Sequence, residues 1–359
     1  NIAIGYSALY DNTTGSYNIA VGQNSLGNNT TGQYNVSVGY QTLEDNTVGR
    51  YNVALGYQAL AQNTTADANV AVGYNALKQN TTGIENVALG KDALALNTVG
   101  VHNIALGAAA LYANTTGYRN VAIGKDALQV NKTGIENIAI GHQALYQNIS
   151  GNHNVAVGKS ALHSNTTGAR NVSLGYQALY TNTVGTDNIA LGDSALYNNT
   201  TGTKNIGIGR DALKDNTTGV RNTAIGDAAL RENVTATNNT AVGYSALLNN
   251  TTGNNNTSVG SEALTDNTTG QGNVAIGHEA LYENTSGAFN TALGKSALKD
   301  LTIGIRNIGI GYQAAQNLTT GTENIAIGFD ALSTSTTGGG NIAIGTNAAN
   351  NAASGTTCI

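Results

Sequence analysis

The chain repeats itself every seventeen residues, from Asn1 to Asn341, without one insertion or deletion. The phrase Asn103 to Arg119, N-I-A-L-G-A-A-A-L-Y-A-N-T-T-G-Y-R, stands for all 21 copies, and Cys358 and Ile359 open a truncated further one. So short and strict a period constrains the fold more than any other property. One copy cannot bury an apolar face alone, so each copy is expected to be one rung of a solenoid that stacks on its neighbours. An aperiodic chain of 359 residues would suggest two or three globular domains, whereas this one reads as a single repeat domain over 1–357. With no methionine and with both ends inside the repeat, it also reads as a segment of something longer.

Within a rung, Ile104-Ala105-Leu106 alternates with period two and favours β-branched residues at its outer slots, as Val155 and Val157 also show. That pattern predicts a strand whose larger side chains fill the core. Gly107 follows, and glycine holds that slot in every copy, so a corner is expected where φ must be positive or backbones approach closely. The next segment, Ala110-Leu111-Tyr112, is too short to sustain a helix and is expected to be extended, with Leu111 as the third core side chain. Asn114-Thr115-Thr116-Gly117 has the composition of a second corner, with Gly117 in the left-handed region. Tyr118 and Arg119 vary freely between copies, so they are expected to be solvated and without packing demands.

The resulting expectation is an all-β parallel solenoid, or β-roll, with like residues stacked at roughly 4.8 Å along a rod of about 100 Å. Asn103 and Asn114 then belong to two columns whose amides can bond from rung to rung. The first column runs unbroken from Asn1 to Asn341. The second, Asn12 through Asn284, gives way to Leu301, Leu318, Ser335 and Ala352, so the last four rungs, from about 290, are expected to approach a different structure.

Between the two large strand residues stands only Ala, Ser or Gly: Ala3, Ser37, Ala105, Ala139, Gly207. If this position faces outward, excluding every larger residue implies a closely packed partner, most simply an identical chain in a lengthwise oligomer. The other account is that the small residues fit a narrow turn of the same chain.

The phrases Asn137-Ile138-Ala139-Ile140-Gly141 and Asn154-Val155-Ala156-Val157-Gly158 resemble the head repeat of trimeric autotransporter adhesins. The longer form with N-T-T-G resembles repeats of bacterial and phage tail-fibre-like proteins. The resemblance implies a left-handed β-roll that trimerises or forms filaments, at a cell surface or on a virion.

Chemistry is sparse. The histidines His102, His142, His153, His163 and His278 lie apart, with no second ligand at helical or hairpin spacing, so no metal or other cofactor is expected. Acids occur mostly singly or beside lysine, and phosphate loops, nucleophile elbows and calcium repeats are missing, so no enzyme is expected. Charged residues make up 10% of the chain and the net charge is −5, which argues against nucleic acid. No run of about twenty apolar residues suggests membrane contact.

Three surface features invite alternatives. The seventeen tyrosines either cap rung edges or contact sugar or protein. The Thr column either forms a turn or orders water for ice binding. The N-T-T phrase makes Asn12, Asn80, Asn114, Asn165 and Asn250 candidate glycosylation positions. The resulting expectation is a non-enzymatic extracellular fibre, the head or shaft of an adhesin, surface filament or tail fibre, that self-associates and meets a host surface, glycan or protein receptor. A ligand-binding solenoid is the alternative.

Overall fold

The computed structural model of the chain describes residues 1–350. It is an all-β parallel solenoid with one three-residue strand per rung, from β1 (Ile2–Ile4) to β21 (Ile342–Ile344), and no helix among the described residues. The chain falls into two compact units, Asn1–Val184 and Gly185–Ile359. In the first, β1 to β11 (Val172–Leu174) pair in parallel, each with the next and one full period apart, so that Ala105 lies opposite Ala122. In the second, β12 (Ile189–Leu191) to β21 do the same, with Ala326 opposite Ala343. The candidate truncated rung, Cys358 and Ile359, lies outside the described residues, as does Ala352.

The strands face the opposite way from the sequence expectation. Ala105, Ala139, Ser37 and Gly207 are buried, and Ala3 is exposed only because it belongs to the first rung. Ile104 is 37% exposed and Leu106 half-buried, so both belong to the outer face and neither to the core. The reason is the narrowness of the rung. A Cβ added at Gly207 would lie 3.1 Å from the Ala212 carbonyl oxygen and 3.3 Å from Leu196 Cγ. That gap admits a methyl group and excludes an isoleucine. The small-residue column is therefore explained by the interior of its own chain, and it faces no partner.

Leu111 is fully buried, together with Ala105 and Ala110, so the apolar core of a rung is two alanines and one leucine. Its segment is neither strand nor helix but a run of turns. Ala109 and Leu111 both sit in the left-handed region, at φ 54 and 52. Such a conformation costs about 1–2 kcal/mol for a residue other than glycine. Burying the leucine recovers about 2 kcal/mol. The twist also aims the Leu111 amide at the Ala127 carbonyl of the next rung, 2.9 Å away.

Gly107 turns the first corner with φ 134, and a Cβ there would come within 2.7 Å of the Gly124 carbonyl carbon. Only glycine meets both demands. The second corner differs from expectation, because Gly117 is not left-handed. The left-handed residue there is Arg119, at φ 55, in a pair expected to be free of constraint. What limits Gly117 is proximity, since its Cβ would approach the Gly134 carbonyl oxygen to 2.5 Å. The preference is not absolute, for Ala66 and Ala236 occupy the equivalent buried slot. The rungs from 290 onward keep the strand and its register as far as the structure describes them, and Leu301 and Leu318 are buried where asparagine stood before.

Candidate functional site

The polar chemistry of the molecule is concentrated inside it. Asn103 and Asn114 are fully buried, as are the members of both columns between the terminal rungs. Asn103 Nδ2 donates to Asn86 Oδ1 of the preceding rung at 3.1 Å and to the Gly117 carbonyl of its own rung at 2.9 Å. Asn103 Oδ1 accepts the backbone amide of Asn120 at 3.0 Å and its Nδ2 at 3.2 Å. Each residue of this column thus closes its own rung and ties it to both neighbours. Asn114 Nδ2 donates to Asn97 Oδ1 at 2.7 Å and to the same Gly117 carbonyl at 3.0 Å. These buried amides are almost completely satisfied, as the low-dielectric interior requires.

This geometry is unfavourable for glycosylation at four of the five candidate positions, Asn80, Asn114, Asn165 and Asn250. A glycan would have to be carried on Nδ2, yet Nδ2 of Asn80, Asn114, Asn165 and Asn250 is buried and commits both hydrogens, to the previous asparagine and to the corner carbonyl. Asn12, in the first rung, differs: it is partly exposed, its Oδ1 accepts from Asn29, and its Nδ2 donates to the Gly15 carbonyl at 3.0 Å. The N-T-T phrase is turn chemistry. The first threonine of the pair is likewise engaged, with Thr30 Oγ1 donating to the Thr47 carbonyl at 2.9 Å and Thr64 Oγ1 to that of Thr81 at 3.1 Å. A hydroxyl whose proton is used in this way is poorly placed to template water.

Several of the tyrosines stack on one another. Tyr17, Tyr34 and Tyr51 lie with ring centroids 4.9 and 5.2 Å apart, and Tyr40, Tyr57 and Tyr74 with centroids 5.3 and 5.1 Å apart. His163 is sandwiched between Tyr146 and Tyr180, and burial lowers its pKa below the ordinary imidazole value. Lys91 sits over the outer face of the second stack, 5.9 Å from the Tyr74 ring. Within these stacks the inner ring faces are consumed and mainly edges are left exposed, whereas Tyr6, Tyr10 and Tyr244 are more than half exposed.

One cluster was not legible from helical or hairpin spacing. Glu262, His278 and Glu279 bring three ligating atoms within 4.8 Å of one another, because solenoid neighbours are one period apart. Lys299 Nζ already bonds Glu279 Oε2 at 3.0 Å, and Ser296 Oγ reaches the same oxygen at 3.2 Å. The hydrogen bond from Lys299 holds the Glu279 carboxyl below its ordinary range, against the opposing effect of burial. The group is most economically an ion-pair network along the surface. Charged pairs elsewhere follow the same period, with Arg119 and Glu136 at 3.0 Å and Arg306 and Glu323 at 3.1 Å.

The remaining feature is the outer face of the strands. In β1 to β11 both outward positions are Ile, Val or Leu without exception. The side chains are substantially exposed: Ile104 37%, Ile123 37%, Ile138 38%, Ile140 37%. In the second unit Thr223, Thr240, Thr257 and Thr291 interrupt the first of the two columns. No family model matches the chain, and no curated protein is significantly similar to it. No helix among the described residues is long and apolar enough to cross a membrane.

Proposed function

We propose that the chain is a non-enzymatic structural element of an extracellular fibre, the shaft or head of an adhesin, surface filament or tail fibre, in which the repeat acts as a stiff spacer and self-associates lengthwise. The observation that carries this reading is the pair of buried asparagine columns. Within each unit they tie rungs to their neighbours by directed bonds, and the described rungs are too narrow to enclose a substrate. Such a device holds whatever it carries at a fixed distance and resists local opening, because no rung can leave without breaking bonds to two others. The resemblance to adhesin-head and tail-fibre repeats points the same way.

Stiffness is measurable within the first unit. Gln23 and Lys159 occupy the same rung position eight periods apart, which corresponds to about 38 Å at the parallel strand spacing. With Cys358 replaced by serine, spin labels on Gln23→Cys and Lys159→Cys should give one narrow distance near that value by double electron–electron resonance. A broad distribution would remove the spacer reading.

A further inference from the structure

We infer that the aliphatic outer face of β1 to β11 is a dry interface for the same face of a second copy of this chain. The inference deepens the self-association in the function proposed above and supplies its surface, since the small-residue column is internal. Eleven strands at about 4.8 Å, each about 10 Å long, make an apolar face of roughly 500 Å². The largest such patch on a typical monomer is about 300–600 Å², and this one is continuous and contains only Ile, Val and Leu. The rows that bracket it in sequence mix tyrosines with charged residues, Tyr34, Tyr51, Glu85 and Arg119 on one side and Tyr40, Tyr57, Lys91 and Lys125 on the other. An apolar centre with a rim of tyrosines and charged residues is the anatomy of a protein interface, and the rim extends the area toward the roughly 800 Å² per partner of a stable one.

The repeat itself selects the occupant. Two ridges of side chains, set by Ile104 and Leu106 and their equivalents, run along the stacking direction with a groove over the inward-facing alanines between them. Only a partner with the same period keeps its ridges in that groove over eleven rungs, and a second copy has that period by construction. Sheets paired in this way pack about 10 Å apart with interdigitated side chains and without water. The threonines at 223, 240, 257 and 291 interrupt the corresponding face of the second unit from β14 (Thr223–Ile225) onward, whereas no polar residue breaks that of the first.

The test is the mass of the full chain in solution, by sedimentation equilibrium over a dilution series. One chain is 36.5 kDa, and the expected species is twice that. The triple variant Ile104→Lys, Ile138→Lys, Val172→Lys should raise the dissociation constant by at least roughly a hundredfold, because unpaired ammonium groups would be carried into a dry contact. Its circular dichroism should be unchanged, since all three side chains lie on the outer face. If the lysine variant does not fold, Ile104→Thr, Ile138→Thr, Val172→Thr decides instead. Threonine keeps strand propensity and stands at this position in the second unit, and the expected weakening is roughly tenfold. A monomeric wild type, a species of three or more chains, or folded variants that associate as well as wild type would overturn the inference. The label distance within the first unit is independent of all these outcomes, so the spacer reading and the interface fail separately.

Discussion

The two asparagine columns look alike in the sequence and do different work. In the column that begins each strand, Asn120 Oδ1 accepts both the backbone amide and the Nδ2 of Asn137, at 3.0 and 3.1 Å. In the column at the second corner, Asn114 Oδ1 accepts only the Nδ2 of Asn131, at 2.9 Å, and the backbone amide of Asn114 is satisfied by the Leu111 carbonyl at 3.3 Å. Within each unit the first column therefore terminates a buried main-chain donor in successive rungs, and the second serves side chains alone. A backbone amide cannot be mutated away, whereas a side-chain ladder can simply stop. The first column accordingly runs unbroken to Asn341, and the second ends at Asn284, whose buried Oδ1 has no partner where Leu301 follows.

Three leucine substitutions test that distinction. Asn120→Leu should be the most damaging. It strips the Asn137 amide and Nδ2 of their acceptor, removes one of two donors to Asn103 Oδ1, and removes one of two donors to the Gly134 carbonyl. At roughly 1–3 kcal/mol per stranded buried group, the loss should be about 3–5 kcal/mol in urea unfolding. Asn114→Leu leaves every main-chain donor paired and strands only Asn97 Oδ1 and one hydrogen of Asn131, so about 2 kcal/mol is expected. If the two substitutions cost the same, the distinction between the columns is wrong.

The third substitution, Asn284→Leu, makes the same chemical change as Asn114→Leu but at the end of the column. The unpaired acceptor then moves one rung back, from Asn284 to Asn267, whose Oδ1 now accepts from Asn284 at 2.8 Å. The number of stranded groups does not change, and a leucine is gained beside the buried Leu301 and Leu318. The expected change in unfolding free energy is within about 1 kcal/mol of zero. A loss as large as that of Asn114→Leu would show that the boundary itself is fixed by something other than this ladder.

The parts of this structure that a sequence displays are those that repeat in composition. The period and the N-[I/V/T]-[A/S/G]-[I/V/L]-G phrase were enough to read rungs, strands, the Gly107 corner and both columns. The direction of the strand was not legible, because an apolar, small, apolar triplet satisfies period two whichever face is buried. Interior width decides the matter, and it is visible only through Leu196 and Ala212 crowding Gly207. Leu111, Ala109 and Arg119 hid their left-handed backbones because none is the glycine or asparagine that usually announces one. The Glu262, His278 and Glu279 cluster was missed for a simpler reason. Residues one period apart are neighbours here, and a search for ligands at helical spacing does not reach them.

The smallest expected effect concerns pH, and it separates the columns from the ionic surface. Amides do not titrate, so a fold held by asparagine columns should have a flat unfolding midpoint from about pH 7 to 10. Departures should come from identifiable groups. Glu279, lowered chiefly by Lys299, contributes stability that is present above its unfolded value of 4.5 and is lost as pH falls through its lower folded value. Lys299, raised chiefly by Glu279, contributes stability that is present below 10.5 and is lost as pH rises through its higher folded value. Asp300, raised by burial, acts in the opposite sense and recovers stability on acidification. In the first unit, His163 resists protonation between its tyrosines, which costs stability as pH falls below 6.5. Because the Glu279 and Lys299 side chains retain 23% and 27% of their exposure, their pair should contribute less than about 1 kcal/mol. Replacing Glu279 by Gln should therefore remove the pair's share of the acid and alkaline limbs and leave the plateau where it was. A midpoint that slopes through the plateau in that variant would mean that a titrating group, and not the neutral amides alone, holds the rungs together.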